Sequence, residues 1–154
     1  MNTAERQKVE DICNEIFMSI DEIGPRSSSK LTDDIIRDAK RPDLATQYEV
    51  VEEITAEVKN LQDELNALND HVETIQDMIV SPADGDKGFV EDEARTVEYI
   101  RGNMQVIFKV LLDIVELNDL DKNNNTLNMI AENVQCACAA IGHLVNELYK
   151  AYER

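Results

Sequence analysis

The sequence predicts an all-α protein: an antiparallel helical bundle with three long heptad-patterned helices and an N-terminal helix before them. Two observations carry this reading. Apolar residues recur at three- and four-residue steps through most of the 154-residue chain, with no strand-like alternation competing. Gly and Pro number only 5 and 3, too few for the turn-rich sequence of a sandwich or barrel. The length suits one domain, residues 1–154, able to bury its own core.

The first helix is expected over about 3–23. Asn2 can cap it, with Glu5 three residues on completing a capping box in which Asn replaces Ser or Thr. Val9, Cys13, Ile16, Ile20 and Ile23 make one apolar stripe, and Gly24-Pro25 stops the helix. The stretch GPRSSSK, 24–30, reads as a connection. A short helix follows over about 32–40, begun at Thr32 and ended by Arg41-Pro42, because the residue before proline is pushed out of the helical region.

The strongest pattern lies in 43–80. Val51, Ile54, Val58, Leu61, Leu65, Leu68, Val72, Ile75 and Ile79 alternate steps of three and four without a miss, and neither Gly nor Pro interrupts. A helix of that span is roughly 55 Å long, and its strict seven-residue repeat favours left-handed coiled packing. The residues flanking the seam are Thr55, Gln62, Asn69 and Gln76 on one side and Glu57, Glu64, His71 and Met78 on the other. One flank is neutral and the other mainly acidic, so a parallel self-pair gains nothing from charge. The seam is expected to pack within the chain.

Ser81 to Gly88 should reverse the chain into a helix over about 89–118, with Val97, Ile100, Met104, Ile107, Leu111 and Ile114 as its stripe. Between Val106 and Leu117 only Lys109, Asp113 and Glu116 are polar, so this half is expected to be covered on most of its circumference. Asp119 to Asn125 makes the next turn. The last helix, about 126–152, repeats the heptad at Leu127, Ile130, Val134, Ala137, Ile141, Leu144 and Leu148. Its small run, Cys136 to Gly142, permits close helix approach. The surplus of apolar surface on these two helices predicts a homodimer through Phe108, Leu111, Leu112, Val115, Ala137, Ala140, Ile141 and Val145. The alternative is a monomer whose N-terminal helix covers both.

The charge is lopsided. The chain carries 32 acids and 15 bases, a formal net charge of −17. Residues 49–98 hold 15 acids and 3 bases, −12, against −3 before and −2 after. Direct nucleic-acid binding is disfavoured, since it needs Lys and Arg to displace counterions from phosphates. An anionic membrane repels such a chain too. No run of 18 apolar residues occurs, and the first residues lack a signal-peptide core, so a cytoplasmic location is expected.

Motifs for chemistry are incomplete. Cys136 and Cys138 point to different faces of one helix, without a second Cys pair or a His cluster, so all three cysteines read as buried small apolar residues. Asp119-x-Asp121-x-Asn123 resembles the first half of a calcium-binding helix-loop-helix loop, but the position of its bidentate Glu is Ile130. His71 and His143 lack the neighbouring cation that phosphotransfer requires. Glu49, Glu52, Glu53 and Glu57, with Asp113 and Glu116 downstream, resemble in kind the carboxylates of the all-α nucleotide pyrophosphohydrolases. That resemblance implies a magnesium-dependent hydrolase. The spacing here is E-E-x-x-x-E where the family has E-E-x-x-E, and the downstream pair is reversed. Neither a metal nor another cofactor is expected, and no catalytic residue.

The acidic side of the long helix remains. Glu49, Glu52, Glu53, Glu57, Asp63, Glu64, Asp70, Glu73 and Asp77 lie opposite or beside the seam, with Lys59 the one base among them. The expectation is a non-enzymatic interaction protein that docks through this face to the basic surface of a protein partner and modulates it. A narrower alternative is a nucleic-acid mimic, of the kind small phage-encoded inhibitors provide, that fills the basic cleft of a DNA- or RNA-binding complex. The plain alternative is a face that only keeps the protein soluble.

Overall fold

The computed structural model describes residues 2–23, 32–35, 37, 48–80, 86–118, 120 and 125–152. Four long helices carry the fold: α1 (Thr3–Ile23), α2 (Tyr48–Val80), α3 (Asp86–Leu117) and α4 (Asn125–Tyr152). A short helical piece at 32–35 and 37 lies between α1 and α2. No strand occurs among the described residues. The proposed starts of α2 at 43–47, the end of the short helix at 38–40, and most turn residues lie outside the described set.

The helices form a closed ring. α2 packs along α3, α3 along α4, α4 along α1, and α1 closes on α2, while the two diagonal pairs do not meet. Neighbours run antiparallel. His71 of α2 meets Glu93 of α3, and ten residues further along α3 Asn103 reaches back to Glu64. Lys8 at the start of α1 pairs with Glu147 near the end of α4.

Each long helix contributes the stripe its periodicity demands. From Ile54 to Ile79 every expected seam residue of α2 is buried, and all seven of α4 are buried too. The residues flanking the α2 seam, from Thr55 and Glu57 to Gln76 and Met78, are half-buried on both sides, as intrachain packing against α1 and α3 requires. The stripe of α1 is broader than expected. Ile12 is buried beside Val9, Cys13 and Ile16, because α1 touches both α4 and α2. The short piece adds Ile35, fully buried, and places the Thr32 hydroxyl 3.4 Å from that of Thr55.

The helix ends have local causes. Asn2 Oδ1 accepts the Glu5 amide at 2.8 Å, and the Glu5 carboxylate accepts the Asn2 side-chain amide at 3.1 Å, a capping box closed by Asn. At the end of α3 the Asn118 side chain donates to the Ile114 carbonyl at 2.8 Å. The Leu120 amide reaches back to the Val115 carbonyl at 3.0 Å, the six-to-one bond of a Schellman stop, with both side chains in the core cluster. α3 begins at Asp86, three residues earlier than its pattern suggested. Gly88 sits in its first turn, exposed, where its poor helix propensity costs at most about 1 kcal/mol.

The Lys8–Glu147 pair, 3.0 Å apart, ties α1 to α4. The hydrogen bond from Lys8 holds the Glu147 carboxyl below its ordinary range, with the charge of Lys150 adding to it. A carboxylate lowered on folding stabilises above the ordinary carboxylate range and loses that effect as pH falls through the lowered value. Glu147→Gln should therefore destabilise by less than about 1 kcal/mol at neutral pH. Urea unfolding should show the difference closing below roughly pH 4.

Two expectations need correction. Cys136 is exposed, because its position two residues from Val134 turns it away from the α4 stripe; Cys13 and Cys138 are buried. The second half of α3 is not covered on most of its circumference. Val106, Val110, Leu112 and Leu117 are exposed, since α1 reaches α4 and α2 but not α3.

Candidate functional site

The acidic side of α2 points out of the ring because the apolar seam points in. Glu49, Glu52, Glu53, Asp63, Asp70, Glu73 and Asp77 are exposed, and Glu57 and Glu64 are half-buried at the flank. Asp63, Asp70 and Asp77 are seven residues apart, so their Cα atoms follow one line at steps of about 10.5 Å. Among the described residues none of the nine is held in an ion pair; Glu64 alone is engaged, by the Asn103 amide at 3.5 Å. The face is therefore solvated charge on a helix of 33 residues, about 50 Å of rigid support.

The acids beyond the turn do not simply extend this face. Asp92 is exposed and pairs with Arg95 at 3.4 Å. Glu93 is turned back onto His71 Nδ1 of α2, so this carboxylate and the imidazole act as a clasp between helices. Residues 22 apart in sequence give no sign of that pairing until the register of the hairpin is fixed. Glu98 is engaged by Arg101 on the next turn of α3.

No three His, Cys, Asp or Glu side chains converge as metal ligands would among the described residues. Glu49, Glu52 and Glu53 are exposed on α2 with Glu57 half-buried at its flank, and Asp113 and Glu116 are exposed on α3, so the hydrolase-like set is not gathered around a common point. Of the calcium-loop positions, Asp119, Asp121 and Asn123 lie outside the described residues, and Ile130 is a core side chain.

The residues expected to form a dimer interface fall elsewhere. Phe108, Leu111, Val115, Ala137, Ala140, Ile141 and Val145 are buried within the single chain, and Leu112 alone of that set is exposed. Tyr99 and Phe89 join the exposed apolar residues of α3. Between α3 and α4 runs a groove of about 440 Å³ over Phe108 and Cys138, with Arg101 and Lys109 at its rim. Arg101 crosses α4 at Gly142, where a Cβ would come within 2.7 Å of its guanidinium. A side chain at 142 would make the end of the arginine shift.

No helix among the described residues is long and apolar enough to cross a membrane. Comparison with protein-family models, with curated proteins and with solved structures finds no significant match for this chain.

Proposed function

We propose that this chain is a non-enzymatic interaction protein of the cytoplasm that docks the acidic outer face of α2 onto the basic surface of a protein partner. The observation behind this reading is the line of unpaired carboxylates, Asp63, Asp70 and Asp77 with their neighbours, on an uninterrupted helix. A rigid support means that little conformational freedom is lost on docking, and a one-signed face steers an oppositely charged partner toward it. Three free cysteines suit a reducing compartment.

The regular spacing of exposed carboxylates favours a second, narrower reading, in which the partner's basic surface is a nucleic-acid cleft and α2 stands in for a phosphate strand. Duplex DNA added during docking separates the two: competition supports mimicry, and indifference leaves docking elsewhere on the partner.

Capture from cell extract on the immobilised chain, beside Asp63→Asn, Asp70→Asn and Asp77→Asn combined, tests the main reading. Each exposed pair is worth up to about 1 kcal/mol. Loss of three at about 0.5 kcal/mol each weakens binding about tenfold. A partner retained equally by both forms contradicts the proposal.

A further inference from the structure

The outer face of α3 carries four exposed apolar residues: Tyr99 at 71%, Val106 at 64%, Val110 at 37% and Leu117 at 84% accessible. At 100° per residue they fall within about 40° of one another, a single stripe. Their spacings are seven, four and seven, which reads the same in both directions. We propose that this stripe pairs antiparallel with the same stripe of a second copy, making an α3–α3 homodimer.

The palindrome is what specifies the occupant. A two-fold axis through the middle of the stripe sets Tyr99 against Leu117 of the second copy and Val106 against its Val110, and repeats both contacts. Those are the layers of an antiparallel coiled coil, and an isologous interface must be self-complementary in this way. The two remaining layers set Asn103 against Asp113 of the second copy, an amide donor against a carboxylate. The segment of α3 under the stripe is itself neutral. Residues 99–117 hold Arg101, Lys109, Asp113 and Glu116 and no other charged group, net zero on a chain of −17. Beside the seam Asp63 and Glu64 of α2 share a cleft with Asn103 and Val106, so these acids approach those of the second copy. On α3 itself the like-charged meeting is Lys109 with Lys109 of the second copy. Its stem can lie along the seam with the ammonium in water, one turn from Asp113.

The seam spans 19 residues, about 28 Å, at the low end of stable interfaces. A seam this short makes a weak, concentration-dependent dimer. Because each copy is strongly anionic, salt screens the repulsion between them and tightens the dimer, the opposite of its effect on docking through α2. The two proposals can thus fail separately.

Sedimentation equilibrium should show the mass rising toward twice that of the chain through the micromolar range, more so at higher salt. Val106→Glu combined with Val110→Glu should remain monomeric at every concentration with the same helical circular dichroism, because both side chains are outside the core. Register is read by cross-linking in a Cys136→Ser background. Tyr99→Cys and Leu117→Cys chains should form a disulfide with each other when mixed, and neither should cross-link alone, since identical positions lie about 27 Å apart along the seam. A wild-type monomer at all concentrations, a dimer indifferent to the two glutamates, or cross-linking of Tyr99→Cys with itself would overturn the proposal.

Discussion

Ile141→Ala should cost about 3 kcal/mol or more of folding stability, while Leu112→Ala, one helix away, should change it by less than about 0.5 kcal/mol. Ile141 is fully buried on α4, which packs on both α1 and α3, and these two flanking helices leave little room for collapse around a cavity. Leu112 is 39% exposed, and its loss removes few contacts. Urea unfolding of the two variants measures the contrast. Ile141→Glu makes it sharper, because a carboxylate placed there has no partner and no water. It should abolish folding. A well-folded monomer from Ile141→Glu would mean that the α4 seam faces another molecule and that the ring of four helices is wrong.

The second large effect is in thiol chemistry. Burial pushes the Cys13 thiol up to about 12, helped by the negative charge of Glu10. Burial likewise raises Cys138 to about 11, with Arg101 opposing and Glu98 adding. At pH 8 their thiolate fractions are roughly one in 10,000 and one in 1,000, and both sulfurs are shielded as well. Cys136 is exposed at the rim between α1 and α4, near Met18 and Glu22. One thiol should therefore react with a disulfide reagent within the mixing phase, and the other two at least about 100-fold more slowly, on unfolding. Raising pH should accelerate the slow pair. Equal reaction of all three in the native protein would contradict the packing of α1 and α3 on α4.

The helices themselves were legible because their signal is local. A step of three and four fixes which side chains of α2 and α4 face inward, whatever covers them, and the Asn2–Glu5 cap lies within one turn. What covers each face is a property of the ring, and local pattern does not carry it. Phe108, Leu111 and Val115 read as surplus apolar surface, yet they are absorbed by neighbouring helices, while Val106, Val110 and Leu117 stay outside. Ile12 joined the core because α1 has two neighbours. Cys136 was misplaced because a run of small residues has no strong inward side. The acidic face was legible for the reason the seam was: fixing one side of α2 inward turns the other out. The His71–Glu93 clasp was not, since it depends on how α2 and α3 are aligned.

The docking face of α2 is tested most directly by calorimetric titration of the captured partner with the wild-type chain and the Asp63, Asp70 and Asp77→Asn chain, at several salt concentrations. Wild-type affinity should fall as salt rises, the variant should bind about tenfold more weakly at low salt, and its salt response should be flatter once three carboxylates are gone. Equal affinities with parallel salt dependence would place the partner on another surface.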